Sequence, residues 1–224
     1  MSMENAAADI RYLLDRGYPQ RSAVGFVCAH YRLDVTARYL LSRTVLSREV
    51  AEKRRDKFMS CDKIEGGSII IDGYNIIIGM ENILEKKAYL CDDGVIRDIK
   101  GAFRSYKVSS NTEEAVGHIL EFLKEMKPET IVFLLDAQIS KSGMLAKMLR
   151  EKLSEVGFKG DARTSNHVDY DLKRCGEIVA SCDGVIIDEA ERVVNFLRCV
   201  VERFRHLEEG VNNELSRRSQ GRLI

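Results

Sequence analysis

The chain has 224 residues, 45% of them hydrophobic, and its 35 Lys and Arg residues are balanced by 35 Asp and Glu residues. That length suits one or two domains with a substantial core, and zero net charge excludes a uniformly basic nucleic-acid-binding chain and a highly charged disordered one. No apolar run has the length of a transmembrane helix, and the first residues lack a secretory-signal pattern. We therefore expect a cytoplasmic protein without a membrane partner.

The cysteines are scattered along the chain and form no C-x-x-C pair, which argues against a zinc site and against a disulfide framework. The six are Cys28, Cys61, Cys91, Cys175, Cys182 and Cys199. In a chain of this length without a secretory signal, such cysteines are typical of reduced thiols. We expect all six to be free.

Residues 1–60 are predicted to form a small all-helical module, because their apolar residues recur at helical spacing. Three helices are expected, and Asp34 is a plausible N-cap for the third. The module contains 11 basic and 7 acidic residues. Dimerisation, docking on the rest of the chain and contact with substrate are its candidate roles, and the first of these predicts a homo-oligomer formed through these helices.

Beyond a glycine-containing linker, residues 66–208 alternate short β-branched runs with longer helical patterns, which predicts an α/β domain with a parallel sheet. Strands are expected at 68–71, 130–135, 161–164, 177–180 and 193–194. Helices are expected near 74–85, 98–107, 112–126, 142–156 and 196–208. Residues 209–224 are predicted to be a frayed basic tail.

Three of the predicted strands end in, or just before, an aspartate: Asp72, Asp136 and Asp183. If these strands are parallel neighbours, the three carboxylates meet at the carboxyl edge of the sheet, where open α/β sheets bind ligands. Each aspartate is also in position to cap the helix that follows it. The sequence leaves the capping role and the ligand-binding role open.

Clustered carboxylates repel each other unless a cation joins them, and hard oxygen ligands select Mg²⁺ or Mn²⁺. Such ions can activate water and stabilise the leaving oxygen of a phosphodiester. A metal site at this edge of the sheet would therefore suit phosphodiester hydrolysis.

Two motifs carry a family resemblance. Asp72-Gly-Tyr-Asn75 after an apolar strand resembles the first motif of PIN-like nuclease domains of the NYN type, and Ser181-Cys-Asp183 resembles their later Ser/Thr-x-Asp motif. Asp136, after Phe133-Leu-Leu, matches the acidic strand end of the NYN branch. The resemblance covers residues 68–200, and the chain as a whole resembles an uncharacterised, largely archaeal family that joins a helical module to such a domain.

The resemblance implies a three-layer PIN-like α/β domain acting as a ribonuclease with Mg²⁺ or Mn²⁺. Asp72, Asp136 and Asp183 would be the catalytic metal-binding core, and Asn75 would orient Asp72 or a water molecule. Gly184 stands where these enzymes often carry another acid, so Asp188 is a candidate for that role.

A further acid is expected in the family between the first two motif strands. Asp93 and Asp98 are the preferred candidates over Asp92, although a turn and a helix cap are the alternative roles for these residues.

Basic residues near the acids are candidate RNA contacts. Arg97, Lys100, Arg104 and Lys107 are spaced three or four apart, which on a helix places them on one face, either as a strip contacting phosphates or as a solvated surface. Ser140 and Lys141 precede a predicted helix and could bind a phosphate there, or serve as a cap and a surface charge.

The sequence therefore favours a divalent-metal-dependent ribonuclease, with RNA of unspecified structure as partner. Its alternative is a non-catalytic RNA-binding or scaffold protein with a degenerate PIN-like site, which the glycine at position 184 favours.

Overall fold

The computed structural model describes residues 2–98 and 106–216. The helices are α1 (Ser2–Leu14), α2 (Gln20–His30), α3 (Val35–Thr44), α4 (Arg48–Lys57), α5 (Gly73–Leu84), α6 (Ser110–Met126), α7 (Ser142–Val156), α8 (Val168–Arg174), α9 (Gly184–Glu189) and α10 (Phe196–Arg203). The strands are β1 (Phe58–Met59), β2 (Ser68–Asp72), β3 (Ala88–Leu90), β4 (Ile96–Arg97), β5 (Thr130–Asp136), β6 (Gly160–Ser165), β7 (Ile178–Ala180), β8 (Val193–Val194) and β9 (Val211–Asn212). Two 3₁₀ segments, Cys61–Ile64 and Arg205–Gly210, complete these elements.

The fold class is confirmed as α/β, with a six-stranded parallel sheet in the order β1-β8-β7-β2-β5-β6. One face of the sheet packs on α5, α6, α7 and α10 through a large apolar core. The other face is covered by α8 and α9 through a smaller cluster that includes Ile70, Leu134 and Leu172. Helices therefore lie on both faces, giving three layers.

The chain reverses direction across the sheet at β2. From β2 it proceeds to β5 and β6 on one side, then returns to β7 and β8 on the other. In open parallel sheets, the crevice at the carboxyl ends beside such a reversal is the usual ligand-binding place. This reversal lies between β2 and β7, and Asp72 ends β2.

The N-terminal region contains four helices rather than the three that the spacing predicted. The apolar faces of α1, α2 and α3 form their own cluster, and the Asp34 side chain caps α3 by accepting from the Ala37 amide at 2.7 Å. The strand that follows α4 joins the large sheet, because β1 pairs with β8. The helical region thus leads directly into the sheet.

Several sequence expectations are wrong in detail. The predicted helix near 98–107 is wrong at its ends, since Asp98, Tyr106 and Lys107 lie in no helix, and its middle, residues 99–105, lies outside the described part of the chain and stays a prediction. The start of the predicted frayed tail is ordered, since β9 pairs with β3 and Leu215 packs on the N-terminal cluster, while 217–224 lie outside the described residues. Cys61 and Cys199 form a disulfide, so the expectation of six free thiols is wrong for these two.

Within residues 2–98 and 106–216, no helix combines the length and apolar character needed to cross a membrane.

Candidate functional site

The three aspartates lie at one edge of the sheet, since β2, β5 and β7 are parallel neighbours and each acid ends or follows its strand. Asp72 pairs in register with Leu134, two residues before Asp136, and Ile71 pairs with Ala180, three residues before Asp183. Alternation along the strands places Asp72 and Asp136 on the face covered by α8 and α9. The topology therefore places the three aspartates at one edge of the sheet, as the sequence predicted.

Asp72 is the central residue of this edge and is only 4% exposed. Its Oδ2 accepts hydrogen bonds from the Ser181 hydroxyl at 2.8 Å and from the Asn75 side-chain amide at 2.5 Å. Burial raises the pKa of Asp72 from 3.8 to about 6, the hydrogen bonds from Ser181 and Asn75 oppose that rise, and the charge of Asp183 adds to it. Asp72 and Asp183 therefore interact electrostatically.

Ser181 connects these two acids. Its hydroxyl donates to Asp72 and accepts from the amide of Asp183 at 3.1 Å. Ser181 stands in the Ser-x-Asp motif, but no role for it was predicted from the sequence. Its position just after a buried strand, two residues before an acid, was the available signal.

The capping role that the sequence left open is real for two of the acids. Asp72 caps α5, and Asp183 caps α9 by accepting from the amides of Val185 and Ile186. Asp136 caps no helix; it accepts from the Gln138 amide at 2.8 Å in the loop before α7. Capping and ligand binding are compatible, because each carboxylate retains lone pairs beyond those that its cap uses.

A glycine lets helix α5 begin close to the neighbouring strand. A Cβ at Gly73 would lie 2.5 Å from a methyl carbon of Leu135 and 3.1 Å from the Leu134 carbonyl oxygen. Any larger residue would push the start of α5, and with it Asn75, away from β5. Gly73 thereby helps to fix the donor to Asp72.

The other predicted metal ligands are held by arginines. Asp93 is fully buried and accepts a bidentate pair from Arg97 at 2.8 and 2.7 Å and a further bond from Arg54 at 3.0 Å. Asp188 accepts a bidentate pair from Arg54 at 2.8 and 2.7 Å. These arginines lower the pKa of both carboxyls, against the effect of burial.

Asp92 and Asp98 are also in ion pairs. Arg11 from α1 forms a bidentate pair with Asp92, with both distances 2.7 Å, and Arg43 from α3 contacts Asp98 at 3.3 Å. These acids, which lie between β3 and β4 or directly after β4, therefore bind the N-terminal helices to the α/β domain. We call Asp92, Asp93, Asp98 and Asp188 the arginine-bound acids.

Arg54 also explains the glycine at position 184. A Cβ there would lie 2.5 Å from a guanidinium nitrogen of Arg54. The place beside Asp183 that the resemblance assigns to another acid is thus filled by a cation from α4. Sequence reasoning missed Arg54 because it lies 134 residues from Asp188, a separation that no local pattern spans.

The predicted basic strip is wrong for Arg97, which lies in β4, is 8% exposed and donates to Asp93 and to the Cys182 carbonyl oxygen. Lys100 and Arg104 lie outside the described residues. Lys107 is exposed and lies in no regular element. Ser140 and Lys141 are exposed in the β5–α7 loop, on the same edge as the acids.

The described residues form no complete protein cage for a metal ion. In the described part of the chain, no three or more His, Cys, Asp or Glu side chains are grouped so as to hold one. Mg²⁺ is commonly held by one or two carboxylates together with water and substrate phosphate. Asp72 and Asp183 together supply two carboxylates, the number of protein ligands of this kind that such a site uses.

Comparison with known proteins places the chain in a family. Residues 61–199, more than half of the chain, match a family described as a domain of unknown function (DUF5616), and residues 2–57 match a protein family of unknown function (DUF434). An uncharacterized protein of Methanocaldococcus jannaschii, MJ0935, is 35% identical over 210 residues, which cover 93% of this chain and 100% of that protein. No solved structure matches. The chain therefore belongs to the DUF5616 family and shares with its archaeal relative both the helical region and the α/β domain.

Proposed function

We propose that this protein is a cytoplasmic ribonuclease of the PIN-like (NYN) type that hydrolyses RNA phosphodiester bonds with Mg²⁺ or Mn²⁺. The observation that carries the proposal is Asp72, a buried carboxyl at the end of a central strand, beside the chain reversal, with further acids following both neighbouring strands. No Lys or Arg in the described ranges forms an ion pair with Asp72, Asp136 or Asp183. A carboxyl kept in this setting is a candidate for function rather than for stability.

The ligand atoms fit a hard divalent cation, because Asp72, Asp136 and Asp183 offer carboxylate oxygens at this edge. Asp72 and Asp183 are the residues that would hold the ion, and Asp136 contributes negative charge on the neighbouring strand. When bound, such an ion supplies water activation and charge stabilisation in the displacement at phosphorus.

The remaining groups would orient and bind. Ser181 and Asn75 fix the carboxylate of Asp72 through their hydrogen bonds. Lys141 and Ser140 lie on the same edge, in the loop that follows Asp136, where they would contact the RNA backbone. Positive side chains at this place suit phosphate binding.

A non-catalytic RNA-binding protein is the second candidate. The observation that favours it is the position of Arg54, whose guanidinium pairs with Asp188 and lies against Gly184. The acid that the PIN-like resemblance leads one to expect there is replaced by the Arg54 guanidinium, which supplies no metal ligand.

Incubation of the purified full chain with labelled single-stranded RNA and Mn²⁺ tests the proposal. We expect cleavage by the wild type, none by Asp72→Asn or Asp183→Asn, and wild-type cleavage by Glu151→Gln, which alters an exposed acid of α7. All four proteins should show the same circular dichroism spectrum. RNA binding without Mn²⁺-dependent cleavage would favour the second candidate, and equal cleavage by wild type and Asp72→Asn would reject the proposed site.

A further inference from the structure

A cleft of about 450 Å³ opens beside the acidic edge, between β6 and α8. Ile70 and Leu134 form its apolar floor, and Arg163, Tyr170, Arg174 and Glu177 are among the residues of its walls. Small-molecule sites typically have volumes of roughly 300–1,000 Å³ and combine an apolar lining with a few polar groups. The volume of this cleft falls within that range, and its walls are richer in charged and polar side chains than those of a typical small-molecule site.

The strand register connects the cleft to the acids. Asp72, Leu134 and Arg163 are paired across three adjacent strands, so their side chains lie in one row on one face. Adjacent strands lie about 4.8 Å apart, which places the Arg163 backbone about 10 Å from that of Asp72. In the next row of the same face, Asp136 pairs with Ser165. The acids therefore lie at the end of the cleft floor.

The basic groups of the cleft differ from the arginines elsewhere near the sheet. Arg54 and Arg97 are bound to carboxylates, whereas neither Arg163 nor Arg174 has an ion pair within the described ranges. Asp171, the acid on the adjoining face of α8, accepts from the Ser165 hydroxyl at 2.6 Å. Two guanidinium groups are thus available to a ligand.

Tyr170 supplies an aromatic surface. Tyr170 is 59% exposed, and the Arg174 guanidinium lies 4.9 Å from the centroid of its ring. Exposed aromatic rings with neighbouring arginines form stacking platforms for the bases of single-stranded nucleic acid. Because β6 is the last strand of the sheet, the cleft is also open at the side.

We propose that this cleft binds one nucleotide of a single-stranded RNA, with the base stacked on Tyr170 and the phosphate contacted by Arg163. This inference rests on the proposed action on RNA and assigns the place where the substrate flanks the acidic edge. The cleft contains both signs of charge, since Glu177 and Asp171 oppose the two arginines. That mixture suits the polar edge of a base together with one phosphate better than it suits a long stretch of backbone.

The test measures binding of the full chain to a 5′-labelled single-stranded RNA of 12 nucleotides in EDTA, so that metal-dependent cleavage is absent. A second RNA contains 2-aminopurine, whose fluorescence falls when the base stacks. Tyr170→Ala should weaken binding roughly 5- to 20-fold and reduce the quenching, within the range measured for loss of one base–aromatic stack. Tyr170→Phe retains the ring and should bind as the wild type does.

The chain offers a matched control. Tyr12 in α1 is 56% exposed, and the Arg16 guanidinium lies 3.4 Å from its ring centroid, so Tyr12→Ala removes a similar pair from another surface. It should leave binding unchanged. Arg163→Gln should flatten the slope of log K against log[salt] by about 0.7, the value for one phosphate contact on a single strand. Arg16→Gln should leave the slope unchanged.

Wild-type affinity and quenching in Tyr170→Ala would overturn the inference, as would an equal loss in Tyr12→Ala or the absence of RNA binding by the wild type. RNA binding that depends on Tyr170, without Mn²⁺-dependent cleavage, would support the cleft as a nucleotide site and reject the nuclease proposal. Asp72-dependent cleavage with unchanged RNA binding by Tyr170→Ala would support the nuclease and reject the cleft as the nucleotide site.

Discussion

Two buried aspartates, Asp72 and Asp93, show how differently this protein treats similar carboxyls. Asp72 is 4% exposed and Asp93 is fully buried. Asp72 receives only hydroxyl and amide donors, and burial raises its pKa to about 6. Asp93 receives two guanidinium groups, which lower its pKa although burial acts in the opposite direction. The arginines, and not the depth of burial, make the difference.

The comparison separates structural acids from candidate functional ones. The arginine-bound acids connect α1, α3 and α4 to the sheet domain, so their charges are satisfied within the fold. Asp72 lies beside Asp183 without a cationic partner in the described ranges, an arrangement that destabilises the ionised form. A bound cation would relieve that cost, whereas the arginine-bound acids need none.

The largest expected effect is that of Asp93→Asn. Removing one charge of a buried pair leaves Arg97 uncompensated, which typically costs about 3–5 kcal/mol. For a chain of this size, that corresponds to a fall in melting temperature of roughly 6–20 °C. Thermal unfolding followed by circular dichroism measures it, with Glu151→Gln as the control, since its exposed pair with Lys147 should contribute at most about 1 kcal/mol. Equal melting temperatures of Asp93→Asn and wild type would show that the pair is not structural.

Asp72→Asn should act in the opposite direction in EDTA. The folded-state pKa of about 6 lies above the ordinary 3.8, so the ionised form is disfavoured in the fold and wild-type stability falls as pH rises from about 4 to about 6. The pKa difference corresponds to about 3 kcal/mol. The Asn variant escapes this loss and should unfold at a higher temperature than the wild type at pH 7.5, with the difference vanishing near pH 4.

Asp34→Asn provides the control for that measurement. Asn and Asp are equally good N-caps, and Asp34 caps α3 at an exposed position, so this substitution should change stability little at either pH. A destabilised Asp72→Asn protein at pH 7.5 would mean that the negative charge of Asp72 is already balanced by a cation that is not among the described residues. The contrast with Asp93 would then disappear.

Gly184→Ala tests the position of Arg54 beside the carboxyl edge of the sheet. The added Cβ would collide with the Arg54 guanidinium and disturb its pairs with Asp93 and Asp188, at an expected cost of about 1–3 kcal/mol. Gly143→Ala is the matched control, because a Cβ built at that helical glycine has no atom within 4 Å other than its chain neighbours and the nearby backbone of its own helix. That control should be neutral or gain about 0.4–1 kcal/mol. A stabilised Gly184→Ala protein would contradict the placement of Arg54.

The strands that carry the edge acids were predictable from sequence because each is an apolar β-branched run. The observed β2 and β5 differ from the predictions by one residue at the carboxyl end, and β8 agrees at both ends. The strands that were missed, β1, β3, β4 and β9, have two or three residues, too few for an alternation to appear, and unlike the equally short β8 none of them is a pair of valines. The acids at the sheet edge followed from the same strands by topology alone.

The division between functional and arginine-bound acids was not predictable. Arg54 reaches Asp93 across 39 residues and Asp188 across 134, and such pairings arise from tertiary packing. Arg97 was placed on a helix because its spacing from Lys100 is helical, yet it lies in a two-residue strand. The Cys61–Cys199 disulfide likewise joins residues 138 apart and left no local signal. Arg163 shares one face of β6 with Asp161 and Ser165, and this period of two was a signal that the sequence contained.

Asp188→Asn is expected to have the smallest effect and distinguishes most directly between the two classes of acid. Arg54 lowers the pKa of Asp188, so the pair stabilises the fold above the ordinary pKa of 3.8 and loses its contribution as pH falls through the lowered value. Because the Asp188 side chain is 41% exposed, the loss in the Asn variant should be about 0.2–1 kcal/mol at pH 7 and should fade below pH 3.8. Glu189→Gln, which alters the neighbouring exposed pair with Lys173, should change stability by a similarly small amount.

The same Asp188→Asn protein should retain Mn²⁺-dependent cleavage if the nuclease proposal holds, because its carboxylate is engaged by a bidentate guanidinium and is not needed to hold the ion. Asp72→Asn, assayed beside it, should be inactive. If Asp188→Asn proved as inactive as Asp72→Asn, Asp188 would have to leave Arg54 when metal and RNA bind. The arginine would then be free to contact a phosphate, and the boundary between arginine-bound and functional acids would shift with the bound state rather than being set by the fold.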